Sequence, residues 1–287
     1  MADIADREGL AAPTNPLAIE GIEFIEFATR RPQVLGLLFE QLGFRPIARH
    51  RSREVLLYRQ GAMNLIINAH GLEDDQATEP RLSAIALRVR NAAGAWRQVT
   101  SQGAWPLDAA VEPMELWIPG IHGVGDSRIF FVDRWREFSI YDVDFVPIPT
   151  VEQAVPAQCG FHWFGIVQYV GPERSADWAA FYGSLFGFAA LPESERFGIL
   201  PRGTVMRSPC GTFYLQLVEA QPDDPTQLDE RLQRIALATP DVPVAVRWLR
   251  ERGVEFVELG AAGVSGRGAL TRAQPDAPAI ELVMERP

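Results

Sequence analysis

The sequence predicts an α+β fold of four βαβββ units, two per half, forming two tandem barrel-like domains. Three observations carry this. Two pairs of segments recur between the halves. Each copy runs strand, helix, glycine and then short alternating strands. A proline-rich seam without periodicity separates the copies.

The chain opens with MADIADREGLAAPTNP, an acidic stretch without the apolar segment of a signal peptide. Residues 1–18 therefore read as a flexible N-terminal arm. The first unit begins with the strand GIEFIEFA at Gly21 and the helix LLFEQLGF, whose Gly43 tolerates the left-handed backbone that ends a helix. EVLLYRQ and MNLIINA then alternate as strands with one buried face. The second unit starts at Ile85, where IALRVR is a strand, Asn91 a helix N-cap and Gly103 the helix terminator. The run RIFFVDR is its last strand, so residues 19–145 form the expected N-terminal barrel, without metal ligands. The seam is FVPIPTVEQAVPAQ, Phe145 to Gln158, with 146–158 as linker. Residues 159–287 repeat the scheme as the C-terminal barrel. GFHWFGIV and AFYGSLFGF (Gly160 to Phe188) parallel the first strand and helix, with Gly187 matching Gly43. TVMRSP and TFYLQLVE follow as strands. IALATPDVPVAVRWLRERG starts at Ile235, 150 residues after its counterpart, and repeats the cap as Asp241 and the glycine as Gly253. AIELVME closes the chain's last sheet.

At 287 residues the chain holds two domains of ordinary size, and 47% hydrophobic with 22% charged residues is a globular composition. A net charge of −10 disfavours nucleic acid or an anionic membrane as partner. Cys159 and Cys210 are too few for a disulfide framework and suit a reducing, cytoplasmic location. No apolar run is long enough to cross a bilayer. A small-molecule ligand and self-association into a homo-oligomer are the expected partnerships.

Three strand positions compared between the halves locate the chemistry. Phe24 aligns with His162, Ala84 with Arg234 and Phe130 with Glu281. One barrel offers Phe, Ala and Phe, and the other His, Arg and Glu. Burying that polar trio costs several kcal/mol unless its members pair with one another or with a ligand, so the coincidence marks a site, where a lone His162 would read as a satisfied core histidine. The expectation is an open polar cavity in the C-terminal barrel and an N-terminal barrel plugged near Phe24 and Phe130.

The segments GIEFIEFA, LFEQLGF, HRSREVLLYRQGAMNLIINA, IPGIHGVG, FFVDRW, SPCG and LQRIALATPD together resemble the 4-hydroxyphenylpyruvate dioxygenase family of the vicinal oxygen chelate superfamily, from about Gly21 to Val283. That resemblance implies a C-terminal barrel holding Fe(II) on two histidines and a glutamate, with O2 activated at the metal and the substrate's 2-oxo acid group chelating it. It carries His162 onto the first ligand, also the catalytic residue expected here, and Glu281 onto the carboxylate ligand. The second histidine belongs in LQHIAL, and this chain has Arg234 there. A guanidinium is donor-only and stays protonated, so it cannot replace a neutral imidazole on iron. Gln227, Gln233, Arg234 and Arg272 fall on or near the family's substrate-binding positions. Gly203, Val218 and Leu270 replace polar residues of the family's pocket, and only six residues follow Glu281, where the family has a long lid helix.

Three functional readings follow. The first is a family member with an incomplete triad, in which Arg234 forms a bidentate pair with Glu281, leaving His162 for acid–base work on a carboxylate or phenolic ligand; Fe(II) or another divalent metal is then weakly held or absent. The second is a working Fe(II) dioxygenase of an aromatic 2-oxo acid. The third is a non-catalytic structural or regulatory partner, like the similar half attached to some dehydroshikimate dehydratases.

Overall fold

The computed structural model describes residues 14–69, 80–108, 116–193, 203–219, 229–258, 260, 263–275 and 277–285. It contains two mixed β-sheets with few helices. In the first half, β1 (Ile19–Ala28) leads through α1 (Pro32–Gln41) to β2 (Arg45–His50), β3 (Val55–Gln60) and β4 (Met63–Asn68). Then β5 (Arg81–Val89) leads through α2 (Ala92–Ser101) to β6 (Gly120–His122) and β7 (Arg128–Val132), and α3 (Tyr141–Asp144) precedes β8 (Phe145–Pro147). In the second half, β9 (His162–Val170) leads through α4 (Ser175–Phe181) to β10 (Ala189–Ala190), β11 (Thr204–Arg207) and β12 (Tyr214–Glu219). Last come β13 (Arg231–Thr239), α5 (Val242–Arg250), β14 (Gly268–Leu270) and β15 (Glu281–Met284).

The strand orders are β6-β7-β5-β1-β4-β3-β2-β8 and β10-β11-β12-β9-β13-β15-β14. Read in opposite directions they coincide, strand for strand, except that the first sheet gains β8. The matching helices start alike: the Asn91 side chain accepts from Gly94 N at 2.8 Å, and that of Asp241 from Val244 N at 2.9 Å, each satisfying an orphan donor of the first turn.

The segments next to two of the expected domain limits are tied down by hydrogen bonds. Residue 145 is not the end of the first sheet, because β8 pairs with β2 and carries it to Pro147. The following segment is strapped to the same half: Gln153 Nε2 donates to Ile47 O at 3.0 Å, Gly61 N to Val155 O at 2.8 Å, and Gln158 N to the buried Gln60 side chain at 3.0 Å. Residues 1–13 lie outside the described residues, but the end of the expected arm is fastened. Asn15 exchanges two hydrogen bonds with Ile19, and Leu17 is buried.

A single apolar cluster runs between the halves. It takes Ile22, Ile25 and Phe27 from β1, Ile235 and Leu237 from β13, and faces of the helices in both halves. Phe131 stacks on Phe186 at 6.2 Å within it. A second cluster, with Phe24, Ile66, Ala86 and Phe145, belongs to the first half alone. β1 is thus buried on both faces, and bulges at Ile22/Phe24 and Glu26/Phe27 reset which residue faces which cluster.

Candidate functional site

In the second half, β13 is flanked by β9 and β15, and its register fixes who meets whom. Ala236 pairs with Gly165 on one side and Glu281 on the other, and Leu270 continues that row on β14. Arg234 lies one step along β13, opposite Val167, beside a bulge that takes up Gln233. Arg234 and Glu281 are both buried, and Arg234 Nε donates to Glu281 Oε2 at 2.9 Å. The pair is made through Nε alone rather than as the expected bidentate fork. The buried Nη2 has no hydrogen-bond partner. Gln233 accepts instead from Arg231 Nε at 2.7 Å, so it is Arg234 that the bulge turns inward.

His162 is not part of this group. Its side chain is 46% exposed, its Nδ1 lies 3.0 Å from Gly160 O and its Nε2 3.5 Å from Glu285. The register gives the reason. Ala86 pairs with Phe24 and Phe130 as Ala236 pairs with Gly165 and Glu281, so the counterpart of Phe24 is Gly165. His162 corresponds to Gly21 and sits at the open beginning of β9. A side chain at Gly165 would run into the Tyr214 carbonyl oxygen of β12, so this position cannot carry a ligand while that pairing stands. Arg272 is also elsewhere, in an exposed pair with Glu255 at 3.2 Å. Gln227 lies outside the described residues.

The donors present therefore do not fit Fe(II). Of the three facing positions one is glycine, one is a cation, and the third is a carboxylate already engaged by that cation. Among the described residues no group of three His, Cys, Asp or Glu side chains could hold a metal ion. Non-haem iron sites of the implied kind need two imidazoles and a carboxylate.

Among the described residues, what borders the pair is not the expected open polar cavity. The hollow lined by Val167, Gln216, Ala236 and Glu281 measures about 20 Å³, enough for one water. Phe164 and Tyr214 also line it, with rings 5.1 Å apart. The first half, expected to be plugged at Phe24 and Phe130, has a cavity of about 450 Å³ lined by those same rings. They tilt against each other at 6.1 Å beside the small residues Ala86 and Gly120, and so stand along the wall without crossing the space. Glu26 lines this cavity and accepts from Ser83 Oγ at 2.7 Å, from Asn68 Nδ2 at 3.4 Å and from Arg128. Sequence reasoning passed over Glu26. The signal was a pair of glutamates, Glu23 and Glu26, among the large apolar residues of a strand buried along nearly its whole length.

Residues 13–146 match the family model described as hydroxyphenylpyruvate dioxygenase, N-terminal. The chain is 34% identical over 264 residues to hemolysin VllY of Vibrio vulnificus (strain CMCP6), covering 85% of this chain and 73% of that protein. It is 33% identical over 261 residues to a 4-hydroxyphenylpyruvate dioxygenase of Pseudomonas sp. (strain P.J. 874), covering 85% and 72%. The chain belongs to the 4-hydroxyphenylpyruvate dioxygenase family. Its fold, that of the vicinal oxygen chelate superfamily, also matches a xylose isomerase-like TIM barrel/4-hydroxyphenylpyruvate dioxygenase fusion protein, with a TM-score of 0.78 at 24% identity over 98% of this chain and 51% of that one. Within the family frame, the Arg234–Glu281 pair stands where the resemblance implies a metal. No helix among the described residues is long and apolar enough to cross a membrane.

Proposed function

We propose that this chain is a member of the 4-hydroxyphenylpyruvate dioxygenase family that does not carry out iron-dependent oxygenation and acts as a ligand-binding module. One observation carries the reading: Glu281, the carboxylate ligand implied by the resemblance, is bonded to a buried guanidinium. Bringing a divalent cation to the same oxygens would set like charges a few Å apart in a poorly screened interior. Gly165 and the outlying His162 support the same conclusion. The small hollow at the pair argues against carboxylate or phenolic binding there, so the C-terminal half serves as scaffold and the binding capacity lies elsewhere in the chain. Existence of the fold as one part of a fusion protein is compatible with a modular role beside other domains or copies of itself.

The test is metal content and oxygen uptake on protein made under anaerobic, iron-replete conditions. We expect well under one iron per chain, and no oxygen consumption above background with 4-hydroxyphenylpyruvate. Arg234→His should leave iron affinity unchanged, because the position facing Glu281 across β13 is a glycine and a second imidazole is still missing. One tightly held iron per chain in the wild type, with oxygen uptake, would establish the dioxygenase reading instead.

A further inference from the structure

We infer that the cavity of the N-terminal half is a binding site for a neutral aromatic ligand bearing a hydroxyl group. Its volume of about 450 Å³ lies in the range of small-molecule sites. Phe24, Phe130, Phe145 and Trp117 supply ring faces and edges, which suit a flat aromatic body. The polar anchor is Glu26. All three of its donors, Ser83, Asn68 and Arg128, reach the same oxygen, Oε1. Oε2 has no hydrogen-bond partner among the described residues, although only 10% of the side chain is exposed. A carboxylate oxygen in that setting is an acceptor awaiting a donor.

The charge beside it selects the donor. Arg128 already neutralises Glu26, and its guanidinium would repel an ammonium group at the same place. A carboxylate ligand would meet Glu26 itself. A hydroxyl needs no net charge, donates to Oε2, and can accept from Arg128 in return. The rows of the sheet explain why the pair sits at the cavity wall. Glu26 and Arg128 flank Ala84 on neighbouring strands, and the small Ala84 side chain lets them meet above it. This site does not depend on whether the C-terminal half holds metal.

The probe is 2-naphthol, titrated calorimetrically against the full chain, beside naphthalene, 2-naphthoate and 2-naphthylmethylammonium. We expect one 2-naphthol per chain, with each comparator at least about tenfold weaker, the loss of one hydrogen bond to a charged group. Glu26→Gln should weaken 2-naphthol by a similar factor, and Val55→Trp, which fills the space from the wall, should abolish binding. Absence of 2-naphthol binding would overturn the proposal. So would equal binding of naphthalene or either charged comparator, or full retention of affinity in Val55→Trp. The ligand series uses wild-type protein, so the proposal stays testable if a variant does not fold.

Discussion

The two halves share strand order, helix caps and the row of residues crossing the central strands, yet each places an Arg–Glu pair beside that row differently. In the first half Glu26 and Arg128 sit on the strands either side of Ala84, and the arginine side chain keeps 35% of its surface exposed. In the second half the arginine occupies the central position itself, as Arg234, and turns to Glu281 one row further on, where the two side chains are 5% and 2% exposed. The first arrangement leaves a hollow beside the pair. The second leaves beside Glu281 a hollow of only about 20 Å³ among the described residues. A polar lining therefore does not imply an open pocket, since charges that satisfy one another draw the strands' side chains together. An aromatic lining does not imply a plug, since large rings can lean along a wall between small residues.

The largest expected effect breaks this contrast at its buried end. Glu281→Ala leaves Arg234 buried without its one side-chain hydrogen-bond partner among the described residues, and should cost about 3–5 kcal/mol in urea unfolding. Glu26→Ala removes a carboxylate with three donors, but its arginine keeps access to water, so the cost should be smaller, about 1–3 kcal/mol. The double variant Arg234→Met/Glu281→Leu should recover most of the loss, because well-packed apolar side chains replace a buried pair at little or no cost. Similar losses from the two single variants would show that the pairs are equally buried in solution and would remove the basis of the comparison.

A smaller effect measures the space directly. Val55 lines the cavity of the first half and Val167 the hollow of the second. Val167→Phe must force its ring into a filled interior and should cost about 1–3 kcal/mol. Val55→Phe has room and should fall within about 1 kcal/mol of wild type, on either side of zero. Thermal unfolding of both variants at matched concentration decides it, and a reversed order would mean that the hollow lies in the other half.

Much of this was legible in the sequence, for reasons that can be stated by residue. The caps Asn91 and Asp241, the terminating glycines and the 150-residue spacing of the Ile85 and Ile235 segments are local chemistry repeated in step, so fold class and the pairing of Ala84 with Arg234 follow from them. Glu281 was found the same way, from the strand that ends each half. Matching Phe24 to His162 sets the first strands 138 residues apart, whereas strand pairing makes Gly165 the counterpart of Phe24, three residues further on. The chain enters β9 through a turn with Cys159 and Gly160 at positive φ, and β1 and β9 each pair with their neighbour through bulges. Bulges shift facing without changing composition, so periodicity cannot reveal them. The location of the cavity was illegible for a different reason: residue volumes say how much fills a barrel and nothing about which way Phe24 and Phe130 lean.

The smallest expected effect concerns Arg272, which the family resemblance placed near a substrate pocket. The structure puts it on the surface, paired with Glu255 at 3.2 Å with 59% of each side chain exposed. Such a pair gains little Coulomb energy in water, and ordering two long side chains offsets most of it. Arg272→Ala should therefore change stability by less than about 0.5 kcal/mol. It should also leave 2-naphthol affinity unchanged, since Arg272 is not among the residues lining the N-terminal cavity. The same variant acts as a control for the comparison between halves. A clear loss of affinity for any of the four naphthalene probes would bring Arg272 back toward a ligand, and with it the C-terminal half as a place where ligands bind.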